Sequence, residues 1–344
     1  MIKYLILFLL ISCGKPITNS GQDTYQISLL GVAEEIFLGT HISFHFDLLP
    51  LKGSVISNGN LWSGDSWRLN RGAINFRWNS PLGQSFNYLS PTPRELVSIP
   101  REKLMQLAPA EKYDIYMGRY DYPLKYEVDT LARSGLESWE GLCHGWAAAT
   151  LNFKTPKAII VKNPDGLEVP FASSDIKALL SYAYSKLIIK DENILGKRCE
   201  KRFFMDEDNC DDDLAAHIFH AVITNKIGLR GQSFIMDIDR YKEVWNHPVV
   251  GYESKVMSTR KSGVGRTITL STQIKYLDLV EQNSWEHVRN MYSYMTFKYE
   301  INVNQYGTMI SGKWLSRDRP DFLWETKKTD AFEGYLSGIK GLLK

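Results

Sequence analysis

Residues 139–153, WEGLCHGWAAATLNF, constrain this chain more than any other stretch: a Gly-containing turn runs into an Ala-rich, helix-forming segment, and the junction carries Cys143. The helix is expected to run from near Cys143 to about Leu151. A thiol at a helix start sits in the positive end of the peptide dipoles, which stabilises the thiolate and makes the sulfur a better nucleophile. The plain alternative is a small buried hydrophobe among Leu142, Trp146 and Ala147, because free cysteine is among the most buried residue types. Gly141 and Gly145 bracket the thiol and permit close approach of another chain segment, while Trp139 and Trp146 can wall a cleft. His144 is adjacent but points about 100° away around a helix, so the base for Cys143 is sought elsewhere.

The chain opens with Lys3, the apolar run Leu5 to Ile11, and Leu10-Ile11-Ser12-Cys13. That run is too short for a permanent membrane helix and reads as an export signal with a cleavage site. It resembles the lipobox of bacterial lipoproteins. Residues 1–12 are then a removed signal peptide, Cys13 becomes the acylated N-terminus, and 13–24 is a lipidated tether to a single catalytic domain over 25–344. The expected location is the bacterial cell envelope, lipid-anchored; Gly14 rather than Asp after Cys13 leans towards the outer membrane. A plain secretory signal with an incidental cysteine is the alternative.

Export permits disulfides. If Cys13 carries lipid and Cys143 is the nucleophile, Cys199 and Cys210 remain as a pair, closing a loop of about 12 residues worth roughly 3 kcal/mol on the chain-entropy estimate. A disulfide from Cys143 to either one would instead remove the chemistry. A composition of 44% hydrophobic and 23% charged residues supports a substantial core, and a formal charge of +2 gives no electrostatic footprint for nucleic acid.

Segment 101–118 reads as a helix, a break at Pro109 and a second short helix. Asn163-Pro-Asp-Gly166 is a turn between two β-prone runs, AIIV and LEVPF. Ser173 or Ser174 is expected to cap a long helix over IKALLSYAYSKL, and a helix around AAHIFHAVITNKIG should close at Gly228. From residue 233 onward the alternation and β-branched content predict an antiparallel sheet. Helices carrying the thiol followed by a sheet make an α+β fold of the thiol-protease type.

WSGDSW…RGAINFRW (62–78), LAPAEKYD (107–114), SWEGLCHGWAAA (138–149), SDIKALLSY (174–182), HAVITNKIG (220–228), EVWNHPVVGY (243–252) and SGKWLSRDRPDFLW (311–324), in this order and spacing, resemble the transglutaminase elicitor family. The resemblance covers about residues 60–324 and implies a transglutaminase-like fold and acyl transfer. A thiolate attacks a glutamine side-chain amide, ammonia leaves, and the thioester passes to an amine. Partners would be protein or peptide glutamine donors and amine acceptors, with the membrane reached through the lipid. Cys143 matches the nucleophile position.

His220, in the matching HAVITNKIG stretch, is the chosen base, with His217 and His247 as competitors; a core histidine on a helix face is the plain reading. Asp175, matching the family's acidic position, is the chosen orienting carboxylate, although an Asp in a first helical turn also suits the dipole regardless of catalysis. Asn246 is the runner-up, since an amide can orient a catalytic histidine; Asp237 and Asp239 are further options. The chain departs from the family at Ala147-Ala148-Ala149, where a Pro often interrupts, and at His247, where Gln is common. Asp206, Asp208, Asp211, Asp212 and Asp213 offer oxygen ligands for calcium, but the loop lacks the Gly and terminal Glu of an EF-hand, and a solvated charge run explains it as well. A glutamine deamidase or thiol peptidase with the same site, and a non-catalytic envelope-binding lipoprotein, are the alternative functions.

Overall fold

The computed structural model describes residues 42–56, 61–80, 86–187, 194–198, 214–238, 240, 242–281, 289–326 and 332–343. The signal and tether, Cys13, Cys199, Cys210, Asp239 and the acidic loop Asp206 to Asp213 lie outside the described residues. The helices used below are α1 (Pro93–Ser98), α2 (Arg101–Gln106), α3 (Pro109–Tyr116), α4 (Pro123–Leu131), α5 (Cys143–Asn152), α6 (Ser173–Ser185) and α7 (Ala216–Ile223). The strands are β1 (Lys52–Ser54), β2 (Ile159–Lys162), β3 (Glu168–Phe171), β4 (Ile194–Gly196), β5 (Phe234–Asp237), β6 (Asn246–Ser262), β7 (Gly265–Leu277), β8 (Tyr292–Val303), β9 (Met309–Trp314) and β10 (Phe322–Trp324).

Helices and sheet segregate along the chain, giving the expected α+β class. Pro109 opens α3 at its first position, where a missing N–H costs nothing. Asn163 makes the β2–β3 turn: its Oδ1 accepts the Asp165 and Leu167 amides at 3.0 and 2.8 Å. Two helix ends differ from expectation. The N-cap of α6 is Ala172, because the Asp175 carboxylate reaches back to the Ala172 N–H at 2.6 Å and supplies the cap that Ser173 or Ser174 was expected to provide. The helix of α7 does not stop at Gly228 but runs on as a π-helical turn over Thr224–Leu229, with Gly228 packed against Pro50 and Tyr252.

Eight strands of the described residues form one sheet in the order β4-β10-β5-β6-β7-β8-β9, with β1 on β6, and every pairing is antiparallel. Alternation sends neighbouring side chains to opposite faces. Ile235 and Val250 join one core with Trp146, Leu179 and Trp324. Phe234, Met236 and Val249 join a second with Phe219, Phe297 and Tyr299. Helices α5 and α6 therefore cover one face of the sheet and α7 covers the other.

Gly145 decides how closely α5 meets α6. A Cβ there would collide with the Ser181 carbonyl and the Ser185 backbone, so only a hydrogen lets the helices touch. Gly145→Ala is expected to lose about 1–3 kcal/mol of stability by overpacking, read as a fall in the denaturation midpoint.

Candidate active site

Leu142 ends the turn before α5, and its amide donates to the Ser66 carbonyl at 2.6 Å. Gly141 allows this, since a Cβ there would strike the same carbonyl. The loop then straps α5 through its tryptophans. The Trp62 amide donates to Thr150 Oγ1 at 2.5 Å, Trp146 Nε1 donates to the Trp62 carbonyl at 3.0 Å, and Trp67 Nε1 donates to Ser181 Oγ at 3.2 Å. Residues 62–67, matched to no regular element, thus hold the thiol-bearing helix in place.

Cys143 is the first residue of α5, as expected, and is buried and free. Its Sγ lies 3.6 Å from the Val244 carbonyl, to which the thiol donates, and 3.7 Å from Asn246 Nδ2, which donates to it. The helix start was expected to favour the thiolate, but burial dominates and pushes the thiol up. The Asp237 charge adds to that rise, and the amides of Asn246 and His144 oppose it.

Asn246 and Asp237 are registered partners across β6 and β5, facing the helices. Asp237 Oδ1 accepts the Trp245 amide at 2.8 Å. Asn246 Oδ1 accepts Trp324 Nε1 at 2.7 Å. The candidate site is therefore assembled from the start of α5 and the near ends of β5, β6 and β10.

His220 is not in it. Its Nδ1 meets the Tyr299 hydroxyl at 2.8 Å and its ring stacks on Phe46 at 5.5 Å, both in the core on the opposite face of the sheet. The plain reading, a core histidine on a helix face, describes it. His217 shares that helix and that burial. Burial lowers His217 to about 4 and His220 to about 3. Asp175 is likewise held elsewhere: Lys112 Nζ lies at 2.8 Å, and Trp78 Nε1 donates to it at 2.8 Å. Gly145, near Cys143 on α5, packs on Ser181 and Ser185, and six to ten residues of helix put Asp175 about 9–15 Å away along α6.

His247 is the histidine that the fold brings to this side. Its ring meets Trp146 of α5 edge-on at 5.7 Å and Tyr276 at 5.0 Å. Its Nδ1 lies 2.8 Å from the Leu277 carbonyl, which can only accept, so Nδ1 carries the proton and Nε2 keeps the lone pair. Burial lowers its pKa, while the Leu277 carbonyl and the Asp278 carboxylate, 3.9 Å from Nδ1, act against that. His144, beside the thiol, is bonded to the Ser185 backbone. Trp324 and the Val244 carbonyl were not singled out from sequence; both come from segments far from Cys143 along the chain, and no local spacing marks them. Among the described residues no cluster of three or more His, Cys, Asp or Glu could hold a metal ion.

A free thiol at a helix start, packed on an antiparallel sheet, belongs to an α+β fold. The family model described as Transglutaminase elicitor matches residues 130–269. The fold is also that of the GP42 transglutaminase from Phytophthora sojae. A TM-score of 0.64 covers 94% of this chain and 97% of that one at 18% identity, a likeness of fold. No curated protein matches the sequence.

Proposed function

We propose that the chain is a protein-glutamine γ-glutamyltransferase in which Cys143 is the nucleophile and His247 the base. The observation that carries this reading is the Cys143 sulfur, at the first residue of α5, facing the Asn246 amide on β6. Sγ adds to the side-chain carboxamide carbon of a bound glutamine, and the carbonyl π electrons move onto oxygen. The C–N bond then breaks, and the thiol proton, taken by His247 Nε2, leaves on the nitrogen as ammonia. The thioester next passes to an amine, restoring the thiol. Because Cys143 is held by the Val244 carbonyl, the acyl donor must displace that carbonyl to engage the sulfur. Asp237 stands in line with Asn246 and, by its charge, favours a neutral thiol until that moment.

In this reading the enzyme works in the cell envelope, tethered through an acylated Cys13. The burial of Cys143 favours one competing reading, a binding lipoprotein that keeps the fold without the reaction. Incorporation of a fluorescent amine into a glutamine peptide, measured beside ammonia release, separates the possibilities. Amine incorporation is expected in wild type and none in Cys143→Ala. His247→Gln is expected to lose 10²–10⁴-fold near neutrality, the usual worth of a general base. Ammonia release without incorporation would make the chain a deamidase, and neither activity in a folded wild type would favour the binding lipoprotein.

A further inference from the structure

We infer that the Asn246 side-chain amide is the donor that holds the oxyanion formed at Cys143, and that Trp324 is the positioning residue that aims it. The inference rests on the acyl-transfer reading for its chemistry, but its geometry stands without that reading.

The two ends of an asparagine amide are alike in shape, and hydrogen-bond partners decide which is which. Here one partner is unambiguous. The Trp324 indole N–H can only donate, and it lies 2.7 Å from one end of the Asn246 amide, so that end is the oxygen. The other end, 3.7 Å from Cys143 Sγ, is then the NH2 group. A flipped amide would set N–H against N–H at Trp324 and a carbonyl oxygen against the sulfur. Asn246 and Trp324 are both buried, so no water competes for either bond at little cost.

The sheet holds this pair from both sides. Trp324 pairs with Ile235 on β5, and Ile235 pairs with Pro248 on β6, so Trp324 projects onto the same face as Asn246 two residues along β6. Glu325, the next residue, is anchored by the Lys226 ammonium of the π-helical turn. Trp324 thus reaches Asn246 from a fixed strand.

A donor at the sulfur becomes an oxyanion donor once the carbonyl carbon is bonded there. The oxygen bonded to that carbon sits beside Sγ, to one side of the line from Sγ to Nδ2, where a donor is useful at about 2.7–3.1 Å. The backbone amides of Asn246 and His144 also draw the thiol's pKa down against burial. The Asn246 side chain is the member of this set that a substitution can remove. It also differs from the role anticipated for it: its amide faces the sulfur, and its oxygen is committed to Trp324, so it does not orient a histidine.

The test is a double-mutant cycle on the full chain: wild type, Asn246→Ala, Trp324→Phe and the double variant, with Asn246→Asp as the isosteric control. The first readout is the pH dependence of Cys143 alkylation by iodoacetamide, which needs no substrate. Asn246→Ala should move the midpoint to higher pH, Trp324→Phe should move it part of the way, and the double variant should match Asn246→Ala alone. Asn246→Asp should move it furthest, because a carboxylate replaces the donor. The second readout, with a glutamine peptide, is a kcat loss of about 10²–10³-fold for Asn246→Ala and at least tenfold for Trp324→Phe with KM little changed. Denaturant-unfolded protein serves as the alkylation reference, so a variant that fails to fold is recognised by that rate, and Asn246→Asp then carries the test. Additive effects of the two substitutions would overturn the role of Trp324. An unmoved midpoint and kcat in Asn246→Ala and Asn246→Asp would overturn the donor. A cycle that holds in alkylation, in a protein without activity on glutamine, would overturn the oxyanion role and the acyl-transfer reading while leaving the aimed amide standing.

Discussion

Asp175→Asn is expected to lose about 3–5 kcal/mol of folding stability, the cost of leaving one member of a buried ion pair without its partner. Asp175 and Lys112 are both fully buried and 2.8 Å apart. The Asp175 carboxylate also takes Trp78 Nε1 and the Ala172 amide, while Lys112 Nζ donates to the Met105 carbonyl at 2.7 Å. Burial pushes the Asp175 carboxyl up, and Lys112, Trp78 and Ala172 draw it back. These bonds tie α2, α3, α6 and the 62–78 strap together. Asp175→Asn leaves one acceptor oxygen in place of two, so it strands the lysine charge and costs either the Trp78 bond or the α6 cap its acceptor. Chemical denaturation reads the effect. In the fraction that remains folded, the rate of Cys143 alkylation should be unchanged, which separates this structural role from a catalytic one. Replacing both members, Lys112→Met with Asp175→Leu, should recover much of the loss, because no charge is then stranded.

Acid is expected to unfold this protein through α7. Among the described residues His217 finds no hydrogen-bond partner at either ring nitrogen, and His220 finds none at Nε2. His220 Nδ1 opens a buried chain of hydroxyls, Tyr299 to Thr272 at 2.7 Å and Thr272 to Ser254 at 2.8 Å, which carries no charge to balance an imidazolium. The folded-state values of about 4 and about 3 lie below the ordinary histidine value of 6.5. The unfolded chain therefore binds more protons below pH 6.5. The stability that these neutral histidines hold is complete above that pH and is lost as pH falls through the two folded values. At 1.36 kcal/mol per unit, this is on the order of 3 kcal/mol or more from each histidine. Asp114 works the other way: burial raises it to about 6, so its contribution grows as pH drops from 6 towards 3.8. Burial also raises Asp65, Asp175 and Glu325 and lowers His144 and His247, so the share of the α7 histidines is isolated by substituting one of them. Denaturation midpoints should fall steeply between pH 6.5 and 4, and His217→Leu should flatten that fall. A midpoint as high at pH 4 as at pH 7 would contradict the account.

The helix at Cys143, the Asn163 hairpin and the late antiparallel sheet were legible because each is written locally, in an Ala-rich run, an Asn-Pro-Asp-Gly turn and alternation. The partners of the thiol were not. His220 sits on a strongly apolar helix stretch, and nothing local tells which face of a sheet such a helix will cover. Asp175 stands in a first helical turn, where capping and catalysis write the same letter. His247 and Asn246 are consecutive on a strand, so alternation alone aims them apart; Asn246 meets the sulfur, while His247 reaches Trp146. Trp324 becomes meaningful only once β10 is seen beside β5.

The most direct measurement is intact-mass analysis of the purified chain after mixing with a glutamine peptide and quenching in acid. The account predicts a transient adduct equal to the peptide less ammonia, carried on Cys143, absent from Cys143→Ala, and discharged when an amine is added. A folded wild type that forms no such adduct, or a Cys143→Ala variant that still does, would contradict it.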